Sequence, residues 1–412
     1  MLATGVPHDF VTVSWILGGL LIAGALLSGL ARRSFLSLTA LFVLAGFVLG
    51  EGGLELLNFS AHSGFVSELA VVALVVILFR DGLEAEAEMV QRAWRLPVRK
   101  LVIAMPLTGA IIAVATHLLT DLDWVESALL GALLSPTDPV LSSSVVTNPR
   151  VPRIVRHSLN LESGLNDGLA LPFVLVFLAA AGHDNFNIVE FVVRDVGVGF
   201  LAGLLFGYAA SRALPRPAGL RPGIPSHQRA LYALGVAFAT YGVTALLQGN
   251  GFIAVFVCAM TLGIRRPDIR SSFEHGSAEL IEVVKLGVFV VFGSLLTVDG
   301  LFGDGWAGPA IVVVTFLIAR PVAVWIALAG TRTSTAIKAF MAWFGPKGVA
   351  TMTFSLFVLA EEIPNGDRIF NLAALAVFVS IIAHGLTDQP GVDWIAARTG
   401  PDDDLPERQP DA

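Results

Sequence analysis

The chain has 412 residues, of which 55% are hydrophobic and 14% charged, with a formal net charge of −7 at pH 7. A soluble domain carries a charged fraction nearer about one quarter, so a soluble enzyme or a nucleic-acid binder is excluded and a polytopic membrane protein is indicated. The single cysteine, Cys258, lies in an apolar block, which rules out a disulfide framework or a zinc pattern.

Taken in chain order, the N-terminus shows no basic n-region and no small-residue cleavage site before its first apolar block, so no cleaved signal peptide is expected. Apolar blocks close to the roughly 20 residues that cross a bilayer then recur about thirteen times. They fall near 11–30, 34–50, 64–79, 100–119, 124–146, 157–181, 188–212, 227–247, 250–264, 279–298, 308–330, 334–359 and 368–387. Loops after odd-numbered spans are basic: Arg32 and Arg33, then Arg92, Arg95, Arg99 and Lys100, then Arg150, Arg153 and Arg156, and so on to Arg332. Loops after even-numbered spans carry Glu51, Asp121, Asp184, Asp299 and Glu361, with Arg368 nearly the only basic residue among them. By the positive-inside rule this alternation puts the N-terminus outside and the C-terminus in the cytoplasm. Residues 1–398 read as one transmembrane domain, and the acidic, Pro-rich 399–412 as a disordered cytoplasmic tail.

Polar groups inside hydrocarbon face the protein interior or a water-filled cavity. Asp81, in "LFRDGLE" at the end of the third span, either reaches such a site or faces cytoplasmic water. In the fifth span "SPTDP" sets Thr137 and Asp138 between Pro136 and Pro139; in the twelfth "WFGPKGVATMTF" sets Pro346 beside Lys347. Proline and a charge break both helices. With the seventh span as a connector, the broken helix is the fifth member of each of two six-helix halves, which then run in opposite orientations. Matching breaks in inverted halves point to a transporter's binding site. Asp138 is expected to offset the positive ends of half-helices and Lys347 the negative ends.

The sixth span, "NLESGLNDGLALP", supplies chemistry. Ser163 and Asp167 share one helix face, and Glu162 and Asn166 the neighbouring one. Carboxylate, hydroxyl and amide oxygens suit a small cation. Burial disfavours a carboxylate's charged form, so Asp167 is expected to hold either a proton or a cation. Glu162 needs a partner, and Arg320 in "LIARPVAV" is the candidate. His117, His157 and His384 read as interfacial residues near span ends.

These motifs ("SPTDPV", "ESGLNDG", the intramembrane Ala319–Arg320 and a Gly-basic-Gly break) resemble the NhaP/NHE-type sodium/proton antiporters of the monovalent cation:proton antiporter superfamily, from about Val11 to Thr387. The resemblance implies a homodimer in a bacterial inner membrane, a dimer domain interleaved with a six-helix moving core, and no cofactor beyond the transported ions. It implies Asp167 as ion and proton carrier and Ser163 and Thr137 as direct ligands of Na⁺. Asp138 and Asn166 then act one layer out or through water, Asp81 joins the site, Glu162 and Arg320 form a structural pair, and exchange is electroneutral. Two departures stand out. The twelfth-span break is Gly345–Pro346–Lys347–Gly348 instead of Gly-Leu-Arg-Gly, and Asp81 is shorter than the glutamate often found there, which opens the choice among Na⁺, K⁺ and Li⁺. Two readings from other classes are an intramembrane aspartyl protease using Asp138 and Asp167, and a cation channel.

Overall fold

In a bilayer each backbone polar group must find its partner within the protein, which favours helices. The computed structural model describes residues 18–19, 21–22, 24–26, 38–61, 63–89, 95–138, 143–183, 186–215 and 224–400. Every regular element among the described residues is helical. Most of the first expected span, Pro139 and the tail 401–412 lie outside them. Helices or broken helix pairs cover the remaining expected segments: Leu38–Leu49, Gly64–Met89, Leu96–Leu119, Trp124–Leu133 with Ser143–Val146, Arg153–Gly182, 188–213, Ser226–Leu246, Gly251–Arg265, Ala278–Ser294, Ala307–Ala327, Thr335–Trp343 with Val349–Ala360, and Gly366–Ala396. Five of the described helices are long and apolar enough to cross a membrane unaided. Large apolar side chains on their outer faces, such as Leu118 and Leu246, are exposed where lipid would lie.

The last helix, expected over 368–387, continues to Ala396. Two further boundaries differ from the sequence expectation because charges find partners inside. The third helix continues to Met89 instead of stopping near 79: Arg80 bonds to Asp81 and lies 3.7 Å from Glu84, so the charges do not end the span. Lys100, read as a cytoplasmic loop residue, is fully buried. It opens a π-helical segment, Lys100–Ala104, and meets a carboxylate described below.

Small residues set the close helix pairs, as expected where lipid is as apolar as the side chains. A Cβ on Gly46 would stand 2.3 Å from Val290 O, and one on Gly203 2.6 Å from Ala254 O. These contacts draw helix 38–49 onto 278–294 and helix 188–213 onto 251–265.

Candidate functional site

The two broken spans cross at their breaks. Trp124–Leu133 is launched by a capping box, with Asp123 accepting from Glu126 N–H at 2.8 Å and Glu126 accepting from Asp123 N–H at 3.0 Å. The helix stops at Leu133, and Ser135–Pro136–Thr137–Asp138 is not helical. The other helix stops at Trp343, and Phe344–Gly348 is not helical. At the crossing Asp138 N–H donates to Pro346 O at 2.8 Å.

A break leaves orphan carbonyls and N–H groups at four half-helix ends. Each break is closed largely by the other. Lys347 Nζ donates to Pro136 O at 3.0 Å and Ser135 O at 3.5 Å, at the carbonyl end of the first half-helix. Thr351 Oγ1 donates to Leu133 O at 3.1 Å. Conversely, Asp138 Oδ2 accepts from Val349 N–H at 2.8 Å, at the N–H end of the opposite half-helix. Each charge therefore meets the partial charge of opposite sign on the other broken span.

Both glycines of the break between Trp343 and Val349 make room for a neighbour. A Cβ on Gly348 would fall 2.3 Å from Asp138 Oδ2, and one on Gly345 would fall 1.9 Å from Arg320 Nε. Arg320 Nη2 donates to Met341 O at 3.3 Å and Phe344 O at 3.1 Å. His384 Nε2 lies 3.0 Å from Trp343 O. Its Nδ1 lies 2.9 Å from Ser380 O and 3.2 Å from Ser380 Oγ, and Ser380 Oγ accepts from Lys347 N–H at 2.8 Å. His384 is thus fully buried within the core and not interfacial. Its reach to a broken helix end is what draws it inward.

Beside the crossing, on helix Arg153–Gly182, lie the oxygen-bearing side chains. Asn166 Nδ2 donates to Thr137 O at 2.5 Å and to Thr137 Oγ1 at 3.2 Å, which fixes the non-helical segment of the first break. Asn166 Oδ1 is buried and meets no donor among the described residues. The same is true of Asp167 Oδ1 and Asp81 Oδ2. The Asp81 and Asp167 carboxyl groups stand close enough for a hydrogen bond between them, so a proton or a cation is needed to reconcile two acceptors. The fold brings them together through the residue after each. Cβ atoms on Gly82 and Gly168 would lie 2.7 Å from Phe256 O and 2.2 Å from the Phe256 ring. Two helices thus press glycines against one residue of helix Gly251–Arg265, and the adjoining aspartates meet.

One layer away, Glu162 sits between two cations. Arg320 Nη1 is 3.1 Å from Glu162 Oε1, and Lys100 Nζ is 2.5 Å from Glu162 Oε2. Both basic residues adjoin π-helical segments, Lys100–Ala104 and Thr315–Ala319, a distortion common at functional sites.

Of the residues singled out by sequence, Thr137, Asp138, Asn166, Asp167 and Asp81 converge at the crossing, while Glu162, Arg320 and Lys347 hold its surroundings. Ser163 lies on the same helix, with its side chain outside what is described. Of the two carboxylates in the protease reading, Asp138 accepts from Val349 N–H at the opposite half-helix, and Asp167 stands beside Asp81. Sequence reasoning missed Lys100, Arg80, Ser380 and His384. The signals were present as a Ser-x-x-x-His spacing on one helix face and as two Asp-Gly pairs inside apolar helices, where glycine needs a packing reason.

Residues 20–394 match the family described as "Sodium/hydrogen exchanger, transmembrane". The chain is 26% identical over 387 residues to the "K(+)/H(+) antiporter NhaP2" of Shewanella sp. (strain MR-4), covering 92% of this chain and 66% of that protein. It is 24% identical over 386 residues to the "Probable Na(+)/H(+) antiporter 2" of Methanocaldococcus jannaschii, covering 86% and 87%. It therefore spans about two thirds of the length of NhaP2 relatives. Its fold is similar to that of the sodium proton antiporter MjNhaP1 from M. jannaschii at pH 8, with a TM-score of 0.77 at 20% identity, covering 94% of this chain and 99% of that one. Matched over most of its length, the chain belongs to the transmembrane sodium/hydrogen exchanger family.

Proposed function

We propose that this protein exchanges a monovalent cation, Na⁺ in the first instance, for a proton by alternating access. The carrying observation is the group of buried oxygens without donors among the described residues, Asp167 Oδ1, Asp81 Oδ2 and Asn166 Oδ1, beside a crossing of two broken helices. Asp167 holds the proton or the cation, never both, so each ion's arrival displaces the other and the exchange is electroneutral. Thr137 and Ser163 offer further oxygens to the cation. Asn166 orients Thr137 by its two bonds, and Asp138 and Lys347 keep the crossing charge-balanced whichever ion is aboard. Glu162 and Arg320 serve as the structural pair.

The scaffold of this reading has thirteen spans in two inverted halves, an external N-terminus and a cytoplasmic C-terminus. It works as a homodimer, in a bacterial inner membrane. K⁺ in place of Na⁺ is a second reading, supported by relatives named K(+)/H(+) antiporters; sodium and potassium use the same ligand types and differ in cavity size and field strength. The aspartyl protease draws no support from a family of exchangers.

Proteoliposomes with an imposed pH gradient and an internal pH dye test the proposal. Na⁺, K⁺, Li⁺ or choline is added in turn, with Asp167→Asn as control. Gradient dissipation by an alkali cation that vanishes in the variant is the expected result. No response to any of them sinks the exchange reading.

A further inference from the structure

We infer that Arg80 is a tethered cation that occupies Asp81 and so sets how tightly the exchanged ion is held. This inference rests on the exchange reading. Adjacent residues on a helix do not share a face, yet the Arg80 side chain folds round to its neighbour. Its Nε and Nη2 both donate to one oxygen, Asp81 Oδ1, at 2.9 and 2.7 Å. Asp81 Oδ2 stays buried, without a donor among the described residues, next to the Asp167 carboxyl. On its other side Arg80 Nε lies 3.7 Å from Glu84 Oε1, toward the end of the helix.

A guanidinium keeps its charge throughout the physiological range. The site therefore contains two carboxylates but presents one net negative charge to an arriving ion. With Arg80 in place, one monovalent ion balances Asp167, and that ion can leave again. Without it, two neighbouring carboxylates would confront the ion with twice the charge. The ion would then be held more tightly and released more slowly. The Arg80 side chain is about one quarter exposed, which gives the guanidinium a route to water. Glu84 competes for the same guanidinium and so tempers its hold on Asp81.

The test compares wild type, Arg80→Gln, Asp81→Asn and the double variant at one fixed pH, which holds proton competition constant. Two quantities are read: half-saturating Na⁺ and K⁺ for exchange in proteoliposomes, and cation-dependent thermal stabilisation in detergent, which needs no transport. Arg80→Gln is expected to lower half-saturation by about tenfold or more, since a unit charge a few ångströms away is worth over a decade in affinity at an effective dielectric of about 20. Maximal turnover falls with it. In the Asp81→Asn background the effect of Arg80→Gln shrinks well below its size in wild type, and Arg80→Lys returns half-saturation toward wild type. Glu84→Gln, a milder change, raises half-saturation by about two- to threefold by releasing Arg80 to Asp81. An unchanged or raised half-saturation in folded Arg80→Gln overturns the inference. So does an equal shift with Asp81→Asn present, the mark of a merely structural role, or, where Arg80→Gln does not fold, an unchanged or lowered value in Glu84→Gln. Wild-type protein that is stabilised by cations but exchanges none for protons refutes the exchange reading alone, and the stabilisation series still decides the role of Arg80.

Discussion

Removing Arg320 tests what this buried arginine does. Breaking a buried ion pair ordinarily costs about 3–5 kcal/mol, because one charge is left uncompensated. Here Lys100 remains 2.5 Å from Glu162, so Arg320→Ala leaves that carboxylate paired. The loss falls instead on the end of helix Thr335–Trp343, where Met341 O and Phe344 O lose a charged donor at 3.3 and 3.1 Å. A hydrogen bond to a charged group is worth about 1.5–3 kcal/mol in soluble proteins, and intramembrane bonds average about 0.6 with a maximum near 1.7. Two such bonds and the vacated volume place the cost of Arg320→Ala at about 2–4 kcal/mol. Glu162→Gln does worse, since it strands two buried cations beside each other, and adding Lys100→Met to it recovers part of the loss. Thermal unfolding of detergent-purified protein followed by the fluorescence of its 7 tryptophans gives the order. Arg320→Ala unfolding at a lower temperature than Glu162→Gln would refute the reasoning, because Lys100 would then not be compensating Glu162.

Asp167→Asn changes little volume and removes the exchanging carboxyl, so it should abolish exchange while size-exclusion elution and unfolding temperature stay near wild type. Gly168→Ala puts a methyl 2.2 Å from the Phe256 ring, an overpacking cost of about 1–3 kcal/mol, and moves Asp167 off its neighbour; exchange should fall sharply and return in part with Phe256→Leu, measured in the same liposome assay. At the surface, the hydrogen bond from Arg266 holds the Asp268 carboxyl below the usual carboxylate range. Its stabilisation is complete above the ordinary aspartate range and is lost as pH falls through the lowered value. Unfolding temperatures of wild type and Asp268→Asn should therefore differ at neutral pH and converge in acid.

Much of this architecture was legible in the residues. Span length, loop charge and the paired breaks follow from local rules: apolar runs, basic loops, and proline where a helix cannot continue. That Asn166 and Asp167 lie within one membrane helix follows from the apolar run around them. What stayed hidden depended on contacts between distant segments. Lys100 stands at the end of a basic run, and nothing local separates a lysine facing cytoplasm from one drawn inward by a carboxylate 62 residues on. His384 sits near a span end by counting, but its ring is claimed by a carbonyl 41 residues earlier. For Asp81, two environments were left open; the glycine beside it, pressed on Phe256, turns the helix toward Asp167.

The mutual closure of the two breaks also bears on biosynthesis. The bonds from Lys347 to Pro136 and from Val349 to Asp138 each join residues 211 apart in the chain. At synthesis rates of about 5–20 residues per second, the first broken helix waits roughly ten to forty seconds for the groups that seal it. Throughout that interval Asp138 and the bare carbonyls of Ser135 and Pro136 must be sheltered by water, lipid headgroups or the insertion machinery. A nascent chain interrupted before Lys347 therefore carries an unsealed wound in its membrane core, a mark by which quality-control proteases can tell an unfinished protein from a finished one.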